Sequence, residues 1–378
     1  MRPHLCHVFP AFAHGGPEVR TALVVNATAD RFRHTILSIN GDLSGQSRIR
    51  ANGEVRLEPV GRPGAWGGYC RVLRRTLHGL RPDVVLTYGW GGIDAILAGR
   101  LCGIRRIIHT EDGFLPDEAH RQKWRRLAAR QLLLRAAALV VCPSQTLVGI
   151  AARLWRLPRR KVCYLPNGVD VSHFSPGTPD ERAAARRRFG CTEAEIVVGT
   201  VGHLRAEKNQ ARLIRAFSHL PGHVPAKLLL VGDGDLRAAL TRQVHDLGLA
   251  GRVIFAGIVP DPVDCYRAMD LFALSSDTEQ MPLAVLEAMG VGLPVLSTAV
   301  GDVREMVSAR NRTQVTPLGD DEAYARALAV LAQSLDERVA LGRMNRSRCV
   351  EHYDLRAMVE RYRELYEEVL DAWTARPK

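Results

Sequence analysis

The sequence predicts two doubly wound α/β domains, each built on a parallel sheet with helices on both faces. The chain has 378 residues, which is about two domains by the usual length prior. Short β-branched runs alternate with longer helical patterns along the whole chain. The runs are continuously apolar rather than alternating, which is typical of parallel strands that are buried on both faces.

The first half of the chain contains six predicted strands with helical segments between several of them. The strands are LCHVFP, HTILSI, EVRLEPV, DVVLTYG, RRIIHT and ALVVCP. The helical segments lie near 17–29, 69–80, 91–102 and 119–137. We assign this half to an N-terminal domain over residues 1–168.

The second half repeats the alternation. Its strands are EIVVGTVGHL, KLLLVGDG, RVIFAGI, DLFALSS and LPVLSTAV, and its helices lie near 209–220, 234–247, 261–269 and 282–290. The stretch YLPNGVDVSHFSP is rich in Pro, Asn and Gly and has no periodicity, which indicates a joint between the domains. We therefore predict a linker over 169–190, a second domain over 191–352 and a separate amphipathic helix over 353–378. The two domains are expected to face each other across a cleft lined by the C-terminal ends of both sheets.

Composition excludes several classes of protein. The hydrophobic content of 46% and the charged content of 24% are ordinary for a globular chain. No apolar run approaches the roughly twenty residues that cross a bilayer, and the N-terminus has no apolar region of the kind found in a secretion signal. Eight cysteines without a CxxC pair and thirteen histidines without HExxH spacing predict reduced thiols, a cytoplasmic location and no bound metal.

Positive charge is concentrated in the first half of the chain. Residues 1–190 carry 30 Lys and Arg against 14 Asp and Glu, whereas the remainder carries 22 against 26. The densest block, residues 121–135, combines arginines with a tryptophan and leucines. Two interpretations stay open: peripheral contact with anionic lipid on the inner face of the plasma membrane, or an ordinary solvated helix. Nucleic acid is not a predicted partner, because the arginines are not interleaved with stacking aromatics and no zinc-finger or RNP spacing occurs.

Two glycine pairs follow predicted strands. Gly15 and Gly16 open a helix, and the start of a helix binds anions well, although a plain turn is the alternative. Gly232 and Gly234 suggest a dinucleotide turn, but Arg237 occupies the third glycine position and two aspartates crowd the place of a pyrophosphate. We interpret this second pair as a helix-opening turn.

Charged residues also follow strands. Arg205 and Lys208 lie where a helix begins, a place that disfavours cations unless they bind an anion such as a diphosphate. Two solvated basic residues are the alternative. His109 stands at a strand end beside Glu111 and Asp112, which suggests a polar wall of a cleft.

The stretch SSDTEQMPLAVLEAMGVGLPV carries two glutamates eight positions apart. Pro282 between them is tolerated in a first helical turn but not in a helix interior, so the helix should begin at about residue 282. Glu279 then lies in the preceding loop and Glu287 on the second turn. Both carboxylates are expected to reach one cleft.

These segments, in this order, resemble the retaining glycosyltransferases of family 4, the group 1 glycosyl transferases. EQMPLAVLEAM resembles the family's E-x7-E motif, VGHLRAEKNQARLIRAF its phosphate-binding loop and HGGPE its N-terminal diglycine loop. LLLVGDGDLR, VIFAGIV, AMDLFALSS and LPNGVDVSHF also match. The resemblance covers nearly the whole chain. It implies a GT-B fold of two Rossmann-like domains with the C-terminal helix packed on the first, a nucleotide-diphosphate sugar as donor, retention at the anomeric carbon and no cofactor or metal.

The resemblance also implies roles for individual residues. Glu287 would accept hydrogen bonds from the ribose, Glu279 would hold hydroxyls of the donor sugar, and His109 would line the sugar site. Lys208 and Arg205 would neutralise the diphosphate. The implied donor-binding set is Gly15, Gly16, His203, Arg205, Lys208, Ile258, Glu279, Met281, Leu283 and Glu287, and the implied catalytic set is His109, Arg205, Lys208 and Glu279.

The chain departs from the family pattern at two positions. His203 stands where the family commonly has an arginine after the loop glycine, and Asp112 stands where relatives with HTEHG carry a second histidine. We expect a glycosyltransferase that acts in exopolysaccharide, lipopolysaccharide or glycolipid synthesis. A GT-B nucleotide-sugar epimerase and a non-catalytic nucleotide-sugar-binding subunit stay open as alternatives.

Overall fold

The chain forms two compact units, each with its own sheet. A computed structural model describes residues 2–13, 15–51, 54–60, 68–114, 118 and 122–372. The first unit comprises Met1–Asn167 with Arg356–Lys378, and the second comprises Gly168–Leu355. Every strand pairing within the two sheets is parallel. The predicted pair of doubly wound, parallel-sheet α/β domains is confirmed.

The first unit contains a seven-stranded sheet in the order β3-β2-β1-β4-β5-β6-β7 among the described residues. Its strands are β1 His4–Phe9, β2 Arg33–Ser38, β3 Val55–Pro59, β4 Val84–Tyr88, β5 Ile107–Thr110, β6 Leu139–Cys142 and β7 Val162–Tyr164. The central strands β1 and β4 are buried along their whole length because helices cover both faces.

The described part of the second unit contains a six-stranded sheet in the order β10-β9-β8-β11-β12-β13. Its strands are β8 Ile196–Val201, β9 Ala226–Val231, β10 Val253–Gly257, β11 Leu271–Leu274, β12 Val295–Thr298 and β13 Val315–Thr316. One buried apolar cluster lies on each side of this sheet, as expected for a doubly wound fold.

Helices alternate with the strands. They are α1 Gly16–Thr28, α2 Gly68–Leu80, α3 Asp94–Leu101, α4 Trp124–Leu133, α5 Gln145–Arg153, α6 Pro179–Arg188, α7 Gln210–Ser218, α8 Arg237–Asp246, α9 Val263–Ala268, α10 Leu283–Val291, α11 Val303–Met306, α12 Asp321–Gln333, α13 Leu335–His352 and α14 Leu355–Asp371. The connections from β3 to β4 and onward to β7 all run in one direction along the sheet. Because connections between parallel strands are right-handed, α2, α3, α4 and α5 lie on one face of the sheet. The reverse direction from β1 to β2 places α1 on the other face.

The segment 169–190, predicted as a linker, carries helix α6 and belongs to the second unit. A capping box at Thr178 and Glu181 begins this helix. The Arg186 guanidinium on its buried side lies 3.0 Å from the Asp270 carboxylate, just before β11. The helix is therefore fixed by a cap and an ion pair rather than by an apolar face.

Helix α14 returns to the first unit and packs there through two tyrosines. Tyr362 and Tyr366 are 4% and 1% exposed, and the Tyr366 ring meets Phe32 edge to face at 5.9 Å between centroids. The Arg20 guanidinium lies 6.0 Å from the centroid of the Tyr362 ring. Aromatic packing of this kind contributes strongly to the stability of a domain core.

A chain of hydrogen bonds runs through the buried centre of the first sheet. His7 Nδ1 lies 2.8 Å from the Tyr88 hydroxyl, and His7 Nε2 lies 3.0 Å from His34 Nδ1. The Thr28 hydroxyl lies 3.2 Å from His34 Nε2. Burial lowers the pKa of His34 to about 4 and holds the pKa of His7 well below its usual value, so both imidazoles are neutral at pH 7.

Candidate donor-binding and catalytic sites

The order of the strands marks where ligands bind in each unit. The strand sequence reverses direction between β1 and β4 in the first sheet and between β8 and β11 in the second. In open α/β sheets, ligands bind outside the carboxyl ends of the strands at such a switch point. Gly15 and Gly16 follow β1, Arg205 and Lys208 follow β8, and Glu279 follows β11. These five predicted residues therefore lie at the two switch points.

The strongest contact among these residues joins Lys208 to Glu279. The Lys208 ammonium donates to Glu279 Oε1 at 2.5 Å, and the Ser276 hydroxyl donates to the same oxygen at 2.8 Å. The two ionic side chains are 28% and 11% exposed, so the pair is reachable from solvent. Sequence reasoning assigned the two residues to different parts of one ligand, and the structure brings their side chains together directly.

The loop that carries Lys208 is supported by the glycine turn after β9. Leu204 N donates to Asp233 O at 3.0 Å. A Cβ at Gly232 would collide with the Gly202 carbonyl, and a Cβ at Gly234 would collide with the Leu204 carbonyl. These glycines are thus required for close packing of two turns, which agrees with the prediction of a structural turn.

Arg205 and His203 also belong to this loop. Arg205 is exposed, and Gln210 Nε2 donates to the His203 carbonyl at 2.9 Å. Lys208 closes a short 3-10 turn, Ala206–Lys208, directly before α7. Ile258, the predicted donor-binding residue after β10, is 73% exposed.

The loop before α10 is shaped by a proline and a glycine. Pro282 is the N-cap of α10, which begins at Leu283, one residue later than the predicted start. Met281 is 5% exposed and belongs to the apolar core of the unit. Gly301 lies against the backbone of Glu279 and Gln280, where a Cβ would collide with both carbonyls. Sequence reasoning missed Gly301, because its partner lies 22 positions earlier in the chain.

Glu287 has a buried partner that the sequence did not reveal. The Tyr266 hydroxyl donates to Glu287 Oε2 at 2.6 Å. Tyr266 is completely buried on α9, with its ring edge to face against Phe174 at 6.0 Å. Burial and the neighbouring carboxylate raise the pKa of Tyr266, so its proton stays in place and directs the Glu287 side chain.

The glycine turn of the first unit already contains an anionic side chain. Gly15 is the N-cap of α1, and Glu18 lies in the first turn with its carboxylate folded back against Gly15. Burial raises the pKa of Glu18. A ligand phosphate at Gly16 would therefore share the helix start with this carboxyl group.

His109 lies at the end of β5 and is fully buried. Its Nδ1 atom is 2.8 Å from the Thr87 hydroxyl, and its Nε2 atom is 3.9 Å from Glu111 Oε2. Within the described part of the chain, His109 Nε2 and Glu111 Oε1 have no hydrogen-bond partner. Arg130 Nε donates to Glu111 Oε2 at 3.2 Å and fixes that carboxylate. The Thr87 hydroxyl therefore orients the imidazole, and the second ring nitrogen is buried beside Glu111.

Asp112, where the family resemblance predicts a histidine, forms an ion pair. The Arg20 guanidinium donates from Nη2 to Asp112 Oδ2 at 2.8 Å, and its Nη1 contacts the other carboxylate oxygen. Arg20 Nη1 also donates to Asn167 Oδ1 at 3.0 Å. Arg20 is 2% exposed. Asp112 thus ties the loop after β5 to helix α1, which explains why an anionic residue suits this position.

Two doubly wound units with such loops at their switch points define the class of GT-B proteins. The solved structure of Anabaena Alr3699/HepE in complex with UDP-glucose is similar to this chain, with a TM-score of 0.84 and 20% identity over 97% of this chain and 99% of that one. At this identity the likeness concerns the fold. Residues 15–168 match the glycosyl transferase 4-like domain, and residues 181–348 match the glycosyl transferases group 1.

Curated relatives extend the same match. The chain is 30% identical over 298 residues to a GDP-mannose-dependent alpha-(1-6)-phosphatidylinositol monomannoside mannosyltransferase of Mycolicibacterium smegmatis, covering 73% of this chain and 75% of the relative. It is 32% identical over 276 residues to a 2-deoxystreptamine N-acetyl-D-glucosaminyltransferase of Streptomyces fradiae, covering 68% of this chain but only 64% of that relative. The chain belongs to the group 1 glycosyl transferases, as its motifs predicted.

Proposed function

We propose that this protein is a retaining glycosyltransferase that moves a sugar from a nucleotide-diphosphate sugar to a saccharide or lipid-linked acceptor. The observation that carries the proposal is the contact of 2.5 Å between Lys208 and Glu279 at the switch point of the second sheet. A lysine can neutralise a diphosphate, and a carboxylate beside it can accept hydrogen bonds from the hydroxyls of the attached sugar.

Each candidate residue has a role in this scheme. Lys208 and Arg205 stabilise the negative charge that develops on the departing diphosphate, which is the main source of catalysis when no metal supplies positive charge. Glu287, directed by Tyr266, accepts hydrogen bonds from the ribose. For Gly16 and His109 in the first unit, contact with phosphate and with the sugar stays a prediction from the family resemblance.

The two glutamates act as binding groups rather than as an acid and a nucleophile. Glu279 is already held by Lys208 and Ser276, and Glu287 is held by Tyr266, so both are arranged as hydrogen-bond acceptors. The two-carboxylate mechanisms of glycoside hydrolases need one carboxyl group that carries a proton for the leaving group. We infer that the acceptor hydroxyl attacks the anomeric carbon on the face that the diphosphate leaves, while its proton passes to an oxygen of the leaving phosphate. The anomeric configuration of the product, measured by NMR, tests this step.

Substitution of the donor-site residues tests the proposed activity. Lys208→Ala should abolish sugar transfer while the thermal unfolding temperature stays close to that of the native chain. Glu287→Ala should also abolish transfer, but it should lower the unfolding temperature because the buried Tyr266 hydroxyl loses its acceptor. Arg215→Ala is the matched control, because Arg215 lies on the adjoining helix α7 and pairs with Asp321 instead. Native turnover in either donor-site variant would contradict the site assignment.

The same assay separates the alternatives. A nucleotide-sugar epimerase would release an epimerised donor without any acceptor. A non-catalytic binding subunit would bind the donor but show no transfer or hydrolysis with any acceptor pool. Transfer to an added acceptor excludes both.

The acceptor class and the pathway rest on the relatives. By their names, the mannosyltransferase relative acts on phosphatidylinositol monomannoside, and the other relative acts on 2-deoxystreptamine. We infer a saccharide or lipid-linked acceptor in the synthesis of bacterial cell-surface polysaccharide or glycolipid. Eight cysteines lie as unpaired thiols, which suits a cytoplasmic location for this synthesis.

We also propose that the first unit binds an anionic membrane surface. None of the described helices is long and apolar enough to span a membrane. Between Glu118 and Asp170, however, the chain has eleven Lys and Arg and no Asp or Glu. Helix α4 exposes Trp124 near its start and Leu132 near its end, each 73% exposed. Arg121, part of the predicted block 121–135, lies outside the described residues.

Neighbouring helices add further exposed apolar side chains. Leu97 and Leu101 on α3 and Leu154 after α5 are 43%, 53% and 46% exposed on the same face of the sheet. Gln131 Nε2 donates to the Leu154 carbonyl at 2.8 Å and joins the end of α5 to α4. Exposed apolar side chains among arginines favour insertion at the headgroup boundary of an anionic bilayer.

Vesicle co-sedimentation tests the membrane proposal. The native chain should bind vesicles that contain phosphatidylglycerol and should not bind vesicles of phosphatidylcholine alone. A Trp124→Ala, Leu132→Ala variant should lose most of this binding. A Val330→Ala, Leu335→Ala variant is the control, because these exposed apolar residues lie in the second unit. Equal binding to both kinds of vesicle would contradict the proposal.

A further inference from the structure

Two loops of the second unit are joined by a cluster of hydrogen bonds directly beneath Lys208 and Glu279. One loop follows β8 and carries Lys208; the other follows β11 and carries Glu279. Asp277 N donates to the Glu207 carbonyl at 2.8 Å, and the Ser275 hydroxyl donates to the Lys208 carbonyl at 3.0 Å. These two hydrogen bonds therefore fix the position of one loop relative to the other.

The side chain of Asp277 is the centre of this cluster. Its carboxylate accepts from Arg212 Nη1 at 2.7 Å and from Asn209 Nδ2 at 3.0 Å. Arg212 Nη1 also donates to the Ser275 carbonyl at 2.8 Å, so one guanidinium holds both ends of the loop before Glu279. Arg212 is 7% exposed, and hydrogen bonds to a buried ionic group are stronger than those between neutral groups.

Three features of Asn209 suit it to its position: its backbone conformation, its helix cap and its contact with Asp277. Its backbone has φ 43° and ψ 47°, a left-handed conformation that asparagine tolerates better than most residues. Its side-chain oxygen accepts from Arg212 N at 3.2 Å and caps helix α7. Its amide donates to Asp277. Glycine would satisfy only the first requirement, and aspartate would bring a second carboxylate against Asp277.

We propose that Asn209, Arg212 and Asp277 form a positioning clamp that sets the distance between Lys208 and Glu279. The inference rests on the proposed function, in which these two residues contact the diphosphate and the sugar. The clamp touches neither group itself. It makes the β-phosphate end of the donor site rigid, whereas the nucleoside end, built around Glu287 and Tyr266, lies on α9 and α10 and does not depend on it.

Nucleotide binding to the full chain tests the clamp. The probes are UDP with UMP and GDP with GMP, and the dissociation constants are measured by calorimetry. In Asp277→Asn and in Asn209→Asp, the dissociation constant of the diphosphate should rise about tenfold or more, because displacing a binding group by as little as about 1 Å is costly. The dissociation constant of the monophosphate should change less than about twofold. Glu322→Gln is the control, because Glu322 on α12 is 90% exposed and pairs with Arg326 rather than with the clamp, and it should leave both dissociation constants unchanged.

A variant that exchanges the two side chains separates loss of the clamp from a general loss of folding. Combining Asn209→Asp with Asp277→Asn restores a hydrogen bond between the two side chains with the donor and acceptor exchanged. The swap should recover diphosphate affinity relative to either single variant. Equal losses of monophosphate and diphosphate affinity, or single variants with native diphosphate affinity, would overturn the clamp. A native chain that binds no nucleoside diphosphate, whichever the base, would overturn the proposed function itself.

Discussion

Individual side chains in this protein are informative mainly through their partners. Lys208 and Glu279 lie 71 positions apart, and Arg20 and Asp112 lie 92 apart, yet each pair is in direct contact. The sequence indicated that these residues are charged and follow strands. It could not indicate that Asp112 belongs to a buried ion pair, because neither residue type nor spacing identifies a partner so far along the chain.

At the scale of one residue, the hydroxyl of Tyr266 is expected to matter more than that of Tyr324. Tyr266→Phe removes a hydrogen bond to the Glu287 carboxylate, and such bonds to charged groups contribute about 1.5–3 kcal/mol. The variant should lose about that much stability at pH 7 and should bind nucleotide more weakly. Chemical denaturation and calorimetry measure the two effects.

Tyr324→Phe is the matched control for this experiment. Tyr324 is also completely buried, but its hydroxyl has no hydrogen-bond partner among the described residues. Removing an unsatisfied buried hydroxyl should leave stability unchanged or raise it. A loss of stability in Tyr324→Phe as large as in Tyr266→Phe would show that packing, rather than the bond to Glu287, explains the Tyr266 result.

At the scale of elements, sequence patterns predicted the long and apolar parts and missed the short or polar ones. Strands β1 and β4 are buried along their whole length, and their sequences predicted them correctly. Helix α10 begins one residue from its predicted start. Strand β7 has only three residues, none of them fully buried, so it has little apolar signal. Helix α6 reads PDERAAARRR, and its stability comes from the Thr178 cap and the Arg186–Asp270 pair. Hydrophobic periodicity cannot reveal such a helix.

The buried histidines of β1 and β2 predict acid sensitivity in the first unit. The unfolded chain protonates His34 near pH 6.5, whereas the folded chain does so only near pH 4. The folded state therefore loses stability as the pH falls from about 6.5 to about 4, by about 3 kcal/mol from this residue, and is not weakened further by it below that range. His7 should add to the loss in the same direction.

Urea denaturation of the full chain at pH 7.5 and pH 4.5 measures this effect. The native chain should be clearly less stable at the lower pH. His34→Gln should show a smaller difference between the two pH values, because its side chain does not titrate. His245→Gln is the control, because the His245 side chain is 86% exposed, and this variant should behave like the native chain. Equal stability of the native chain at both pH values would contradict the assignment of a neutral buried His34.

At the scale of the whole molecule, the last helix completes the unit in which the chain began. Tyr366 on α14 is 1% exposed and packs against Phe32, between α1 and β2. Tyr366→Ala should destabilise the first unit by about 3–5 kcal/mol, as expected for removal of a large buried aromatic side chain. Glu364→Ala on the exposed side of the same helix should have almost no effect. Limited proteolysis that cleaves the first unit no faster in Tyr366→Ala than in Glu364→Ala would contradict this expectation.

The pairing of Lys208 with Glu279 also has a consequence for which anions the protein admits. The Lys208 ammonium is paired with the internal Glu279 carboxylate, so a simple anion that binds the lysine must compete with that carboxylate. Under the proposed function, inorganic phosphate and sulfate would bring no sugar hydroxyls to the displaced Glu279, whereas a sugar diphosphate would provide a phosphate for the lysine and hydroxyls for the glutamate at once. On that proposal, the ion pair would favour a ligand that carries both a phosphate and sugar hydroxyls over small anions.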